Sequence, residues 1–288
     1  MEPSTRASGP ATAPMLKAWR RFATHRPGLA GGAFVLLLAL AGVAAPLLAP
    51  ADPSQIGNQI MLPPSLQHLM GTDELGRDVL SGVIYGIRVS LTVGFLAALA
   101  ASLLGAIIGA LAGFYGGFFD LLVMRISEVF QVVPSFILAA VIVALSGAGL
   151  MQIVAVIALL AWPQTARVMR GEVLRIKRLE FVDAVRCLGI GEGAILAGEI
   201  VPNALAPMLA VGTLIVGQAI LLEAALSFFG LGSADVVSWG RMLNSGQRFL
   251  FNGWWLSFFP GTAIFLTVLA FNLLGDAIGA VFNPRSAA

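Results

Sequence analysis

Six long apolar runs, each ended by charged residues or by proline- and glycine-containing breaks, set the pattern of this chain, near 29–50, 89–113, 121–145, 150–168, 204–229 and 256–279. An α-helix rises about 1.5 Å per residue, so about 20 apolar residues cross the roughly 30 Å of bilayer hydrocarbon. Each run predicts one transmembrane helix. The first, Gly28 to Ala49, is uncharged over 22 residues, which is longer than the roughly 7–15 residues of a signal-peptide core. From Val129 to Ala166, 38 residues pass without a charge. That is too long for one span, and the helix-breaking run Ser146-Gly147-Ala148-Gly149 divides it. The predicted fold class is an all-α membrane protein with six transmembrane helices.

Composition agrees. Of 288 residues, 58% are hydrophobic and 11% charged, with a mean hydropathy of +0.90, against roughly 45–50% and 25% in soluble domains. The net charge of +2 and the scattered basic residues argue against nucleic acid as a partner. One cysteine, Cys187, excludes an internal disulfide, and with only His25 and His68 no metal-ligand cluster is expected.

Lys and Arg are retained on the cytoplasmic side during insertion. With the N-terminus inside, 13 of the 17 basic residues are cytoplasmic: Arg6, Lys17, Arg20, Arg21, Arg26, Arg125, six from Arg167 to Arg186, and Arg285. Arg77, Arg88, Arg241 and Arg248 remain outside. Segments 1–28 and 280–288 are thus expected to be cytoplasmic, as an even number of spans requires. Two connections exceed the median loop of about 4–6 residues: an external stretch, 51–86, and a cytoplasmic one, 169–203. A shorter external segment, 231–255, joins the last two spans.

Within the inner loop, Glu180 to Gly189 reads as a short amphipathic helix. Phe181, Val185 and Leu188 share a stripe, while Glu180, Asp183 and Arg186 point elsewhere. Gly189 suits a helix end because glycine enters the left-handed conformation at little cost. From spacing alone, this is equally an interfacial helix lying on lipid headgroups.

Asp183-Ala184-Val185, three further residues, Gly189 and then Pro202 resemble the cytoplasmic motif of ABC importer permeases, Glu-Ala-Ala, a spaced glycine and a later Leu-Pro. Asp183, Val185, Glu199 and Val201 depart mildly from it. The outer loop carries Gly71-Thr72-Asp73-Glu74-Leu75-Gly76-Arg77-Asp78-Val79-Leu80-Ser81, then Tyr85-Gly86-Ile87-Arg88-Val89-Ser90-Leu91. This stretch is similar to the second permease subunit of dipeptide, oligopeptide and nickel importers, the DppC/OppC type. Further signatures are Leu226 to Gly232, Ser238 to Leu243, Trp254-Trp255, Pro260-Gly261, Leu269 to Asp276 and Asn283-Pro284-Arg285. Gly279-Ala280-Val281-Phe282 departs from the family's more charged ending.

The resemblance implies a type I ABC importer permease (MetI-like) fold, with its core over 87–279, in the bacterial inner membrane. It implies a heterodimer with a homologous second permease, two ABC ATPase subunits and an extracytoplasmic substrate-binding protein. Glu180, Asp183, Ala184, Val185, Gly189 and Pro202 become the ATPase-coupling residues. Gly71, Thr72, Asp73, Gly76, Arg77 and Asp78, otherwise a solvated cap with glycine turns, contribute to the surface on which the binding protein docks. No cofactor is expected on this chain. ATP and Mg belong to the partner ATPases, since the sequence has no Gly-x-x-x-x-Gly-Lys-Ser/Thr loop around Lys17 or Lys177.

Charges within spans cost about 2.5–3.5 kcal/mol on insertion scales. Arg125 and Glu128, three apart, are expected to pair and snorkel. Glu223 faces either a cavity, the partner permease or a helix contact. Pro134 and Pro163 are expected to kink or end helices. Gly94, Gly105, Gly109 and Gly113 make close helix packing the expectation, inside the chain or against its partner. Function therefore reads as a permease subunit for peptides or a similar small solute, with nickel or glutathione as alternatives. An ion-coupled secondary transporter would rest on Glu223 alone, and no catalytic set suggests an enzyme.

Overall fold

The computed structural model describes residues 22–282. Arg6, Lys17, Arg20, Arg21 and the Asn283-Pro284-Arg285 signature lie outside the described residues. Within them the chain is helical, and its lone β-feature is an isolated bridge between Thr72 and Asp78.

Helix α1 covers Arg26–Val43, with the His25 ring accepting the Gly28 N–H at 3.1 Å as its cap. The expected first span is interrupted at Ala44, and α2 restarts at Ala45–Leu48. Pro46 accounts for this break, because proline supplies no N–H to bond back to Gly42 and its ring crowds that carbonyl. Helix α3 runs over Val79–Tyr115, beginning ten residues before the apolar run because Asp78 caps it at Ser81 N–H (2.8 Å). Its 37 residues end at Gly116, φ +66°.

The expected third span is two helices. α4 (Gly117–Val132) and α5 (Ser135–Ser146) meet at 91° around Pro134. α6 (Leu150–Ile176) passes through Pro163 and extends beyond the predicted end near 168. After α7 (Glu180–Cys187), α8 (Glu192–Ile195), a widened π-type turn (Leu196–Ile200) and α9 (Val201–Phe228) run on as one 37-residue helix. The widened turn directly precedes Pro202, which cannot bond back to Gly198 and whose ring crowds that carbonyl. α10 (Trp239–Gly246) and α11 (Trp255–Phe282) complete the chain. Among the described residues, five helices are long and apolar enough to cross a membrane, and the bent pair makes a sixth if it acts as one span.

α3 and α6 form the most extensive helix pair. The glycine stripe explains their closeness: a Cβ at Gly109 would collide with the carbonyl oxygen of Ala166, and one at Gly113 would sit 2.9 Å from the Arg170 carbonyl oxygen. The Thr165 hydroxyl bridges the pair, 2.8 Å from the carbonyl oxygens of both Ala101 and Trp162. Gly94 instead packs on Ile220 and Val216 of α9. The small-residue stripe is therefore covered within this chain.

Candidate functional site

At one end of the bundle, the α7–α8 hairpin is anchored from its inner face. Val182 is fully buried and Val185 partly so, packed among Phe114 of α3, Met169 and Ile176 of α6, and Ile195 and Ile200 beyond α7. The predicted stripe divides between core and surface. Of Phe181, Val185 and Leu188, only Val185 joins the core, while Phe181 and Leu188 are 40% and 78% exposed. Two apolar stripes run along this short helix, and only one can face the bundle.

Polar contacts fix the hairpin's shape. Arg186 donates to Asp183 (2.8 Å) and to Glu192 (2.9 Å), joining α7 to α8. The hydrogen bond to Glu192 raises the Arg186 pKa, against the opposing effect of desolvation. Glu180 and Asp183 lie in the first turn of α7, where the helix dipole favours carboxylates. Ala184 is exposed beside Phe181. Gly189 has φ +78°, closes a turn on the Arg186 carbonyl (2.9 Å), and has open space where a Cβ would lie. Pro202 sits in the first turn of α9.

Sequence reading missed the fastenings beneath this hairpin. Arg170 of α6 makes a two-point pair with Asp120 of α4, at 2.5 and 2.6 Å. The Lys177 ammonium donates to the Phe114 carbonyl and lies 4.9 Å from the centre of that ring. Charges at helix ends on opposite sides of the uncharged run were the available signal for Asp120 and Arg170, but partner choice needs the fold.

At the opposite end, the 51–78 segment folds into a cap. The Thr72 hydroxyl donates to the Gln59 carbonyl (2.7 Å) and accepts from the Leu62 N–H (2.8 Å). Asp73 accepts from the N–H groups of Leu75 and Arg77, which closes a turn around Gly76, φ +71°. Gly71, φ +79°, lies against the Trp255 indole, where a Cβ would approach to 2.8 Å. Asp78, besides capping α3, meets the His68 ring at 3.2 Å. Arg77 is different: its Nε is buried without a hydrogen-bond partner, as is Glu74 Oε2. Both line a cleft of about 260 Å³ between the cap and α10, together with Asp235 and Arg241.

Arg125 and Glu128 form the expected pair at 2.8 Å on an exposed surface, with side chains 71% and 51% accessible. Glu223 is 2% exposed inside the chain's own packing, where the Ser227 hydroxyl donates to Oε1 at 2.7 Å.

Comparison with known proteins gives the family. Residues 105–287 match the family described as binding-protein-dependent transport system inner membrane component. Residues 14–64 match the N-terminal TM domain of oligopeptide transport permease C. The chain belongs to this transport permease family. It is 36% identical over 280 residues to the di/tripeptide transport system permease protein DppC of Pseudomonas aeruginosa, spanning 94% of this chain and 92% of the relative. It is 38% identical over 275 residues to the glutathione transport system permease protein GsiD of Salmonella paratyphi A, spanning 94% and 91%. The protein is thus a multi-pass inner-membrane permease subunit of an ABC importer with the MetI-like fold.

Proposed function

We propose that this chain is the non-catalytic half of a permease heterodimer that passes peptides, or similar small amide-bearing solutes, into the cytoplasm. The single observation that carries the reading is the two-faced α7, with Val182 and Val185 locked into the bundle while Phe181, Ala184 and Leu188 leave an apolar face open. An apolar face on a fastened hairpin fits a groove on an ATPase subunit, so that ATP-driven closure moves the helix ends anchored beneath it. Glu180, Asp183, Gly189 and Pro202 shape that surface. ATP and Mg act on the ATPase chains, a division supported by the absence of a phosphate loop from the sequence.

The hairpin end is cytoplasmic in this reading and the cap external, supported by the clustering of basic residues around 167–186. The cap, with Arg77 at its cleft, belongs to the surface met by a substrate-loaded binding protein. Peptides lead as cargo because relatives are named for di/tripeptides, and glutathione, itself a tripeptide, follows from the second relative. The test is uptake by proteoliposomes holding this chain, its partner permease, both ATPases and the binding protein. Peptide should accumulate only with ATP and binding protein together; accumulation driven by an ion gradient without ATP would refute the proposal.

A further inference from the structure

The 91° break between α4 and α5 opens a cavity of about 660 Å³, within the roughly 300–1,000 Å³ of small-molecule sites. Three glutamines from three helices line it: Gln131 of α4, Gln164 of α6 and Gln218 of α9, joined by Ser135 at the start of α5. The other lining groups are apolar, and no Asp, Glu, Lys, Arg or His is among them. Gln164 stands near the middle of α6, and Gln218 stands well inside α9.

All three glutamines are exposed on this chain, whereas their helical neighbours Thr165, Ala166, Gly217 and Ala219 are buried. An amide left without a hydrogen-bond partner in hydrocarbon is strongly disfavoured. Three of them together, beside a helix break whose backbone also needs partners, fit a water-filled passage rather than a lipid-facing wall.

We propose that Gln131, Gln164 and Gln218 form a charge-free amide lining of the solute path, which hydrogen-bonds the backbone amides of a passing peptide. Each carboxamide offers an acceptor and two donors, the complement of a peptide N–H and C=O. Such a lining grips the repeating part of any short peptide and ignores its side chains. It offers a bare divalent cation no carboxylate, imidazole or thiolate. Neutral contacts also release what they bind, as passage requires.

This inference rests on the importer reading, and its test separates the two. In the complete complex carrying Cys187→Ser, single cysteines replace Gln131, Gln164, Gln218 or, as a control on the apolar face of α1, Leu36. A hydrophilic methanethiosulfonate reagent should modify the three glutamine positions about tenfold faster than the Leu36 position, because water reaches the former and hydrocarbon covers the latter. The Gln164→Leu, Gln218→Leu double variant should assemble with its partners yet take up trialanine and glutathione about tenfold more slowly, and the paired Asn variants should recover part of the rate. Labelling as slow as at Leu36, or unchanged uptake by the leucine variant, overturns the lining while wild-type uptake leaves the importer intact. Wild-type complex without ATP-dependent uptake overturns the importer reading, and labelling then decides the cavity on its own.

Discussion

Trp255 donates its indole N–H to the carbonyl oxygen of Thr72 at 3.1 Å, across 183 residues of sequence. Trp239 does the same for the Val83 carbonyl at 2.9 Å. Two tryptophans from the last third of the chain therefore pin the cap and the first turns of α3, filling apolar space with their rings and satisfying buried carbonyls with their single donors. Trp255→Phe keeps an aromatic side chain but removes the indole donor and strands the Thr72 carbonyl oxygen, at a cost of about 1–3 kcal/mol. The variant should show faster external proteolysis within 51–78 than wild type, with the helices downstream of Val79 still intact.

Gly109 and Gly171 make a matched pair on packed and open surfaces. A Cβ at Gly109 collides with Ala166 backbone, whereas one at Gly171 meets nothing within 4 Å. Gly109→Ala should lower the melting temperature of the purified chain and Gly171→Ala should not. Equal melting of the two would argue that α3 and α6 are not held at this distance.

Asp120 and Arg170 should be coupled energetically. A double-mutant cycle with Asp120→Asn and Arg170→Gln, read by unfolding in bicelles, should return an interaction of about 1–3 kcal/mol. Additive effects would show that the two-point contact contributes nothing net.

Gly189 tests the hairpin turn. Its left-handed φ costs a residue with a β-carbon about 1–2 kcal/mol, although asparagine tolerates it better. Since the space around it is open, Gly189→Arg should insert and fold normally, lose ATPase co-purification and lose uptake. Gly189→Asn should retain most of both. Normal uptake by the arginine variant at normal complex levels would remove Gly189 from the coupling surface.

Cys187 is an exposed native reporter of orientation. In the chain expressed without its ATPases, an impermeant maleimide should modify Cys187 in inside-out vesicles and leave it unmodified in intact spheroplasts. The opposite pattern would invert the proposed topology.

Apolar runs and breakers made the span count legible, because bilayer thickness acts directly on sequence length. Pro134 was visible as a breaker, but the 91° turn it produces depends on what α5 packs against. The choice between the Val182 and Phe181 faces of α7 was hidden for a similar reason: both are apolar, and contact with α3, α6 and α9 selects one. Residue resemblance marked the cap motif, yet most of it serves the cap's own turns, while Arg77 and Glu74 at its cleft keep buried polar atoms unmatched. Gln131, Gln164 and Gln218 carried no signal at all, since 33 residues separate the first two and 54 the last two.

The 37-residue helix from Glu192 to Phe228 spans about 55 Å, and its stiffness is unevenly distributed. The widened turn at Leu196–Ile200, Pro202 and Pro207 each interrupt its hydrogen-bond ladder near the hairpin, while Met208 to Phe228 contains no proline. Compliance is gathered at the base and the remainder behaves as a rod. A tilt applied at the hairpin is therefore absorbed as bending below Met208 and delivered above it as whole-body rotation, which swings Gln218 without deforming the helix that carries it.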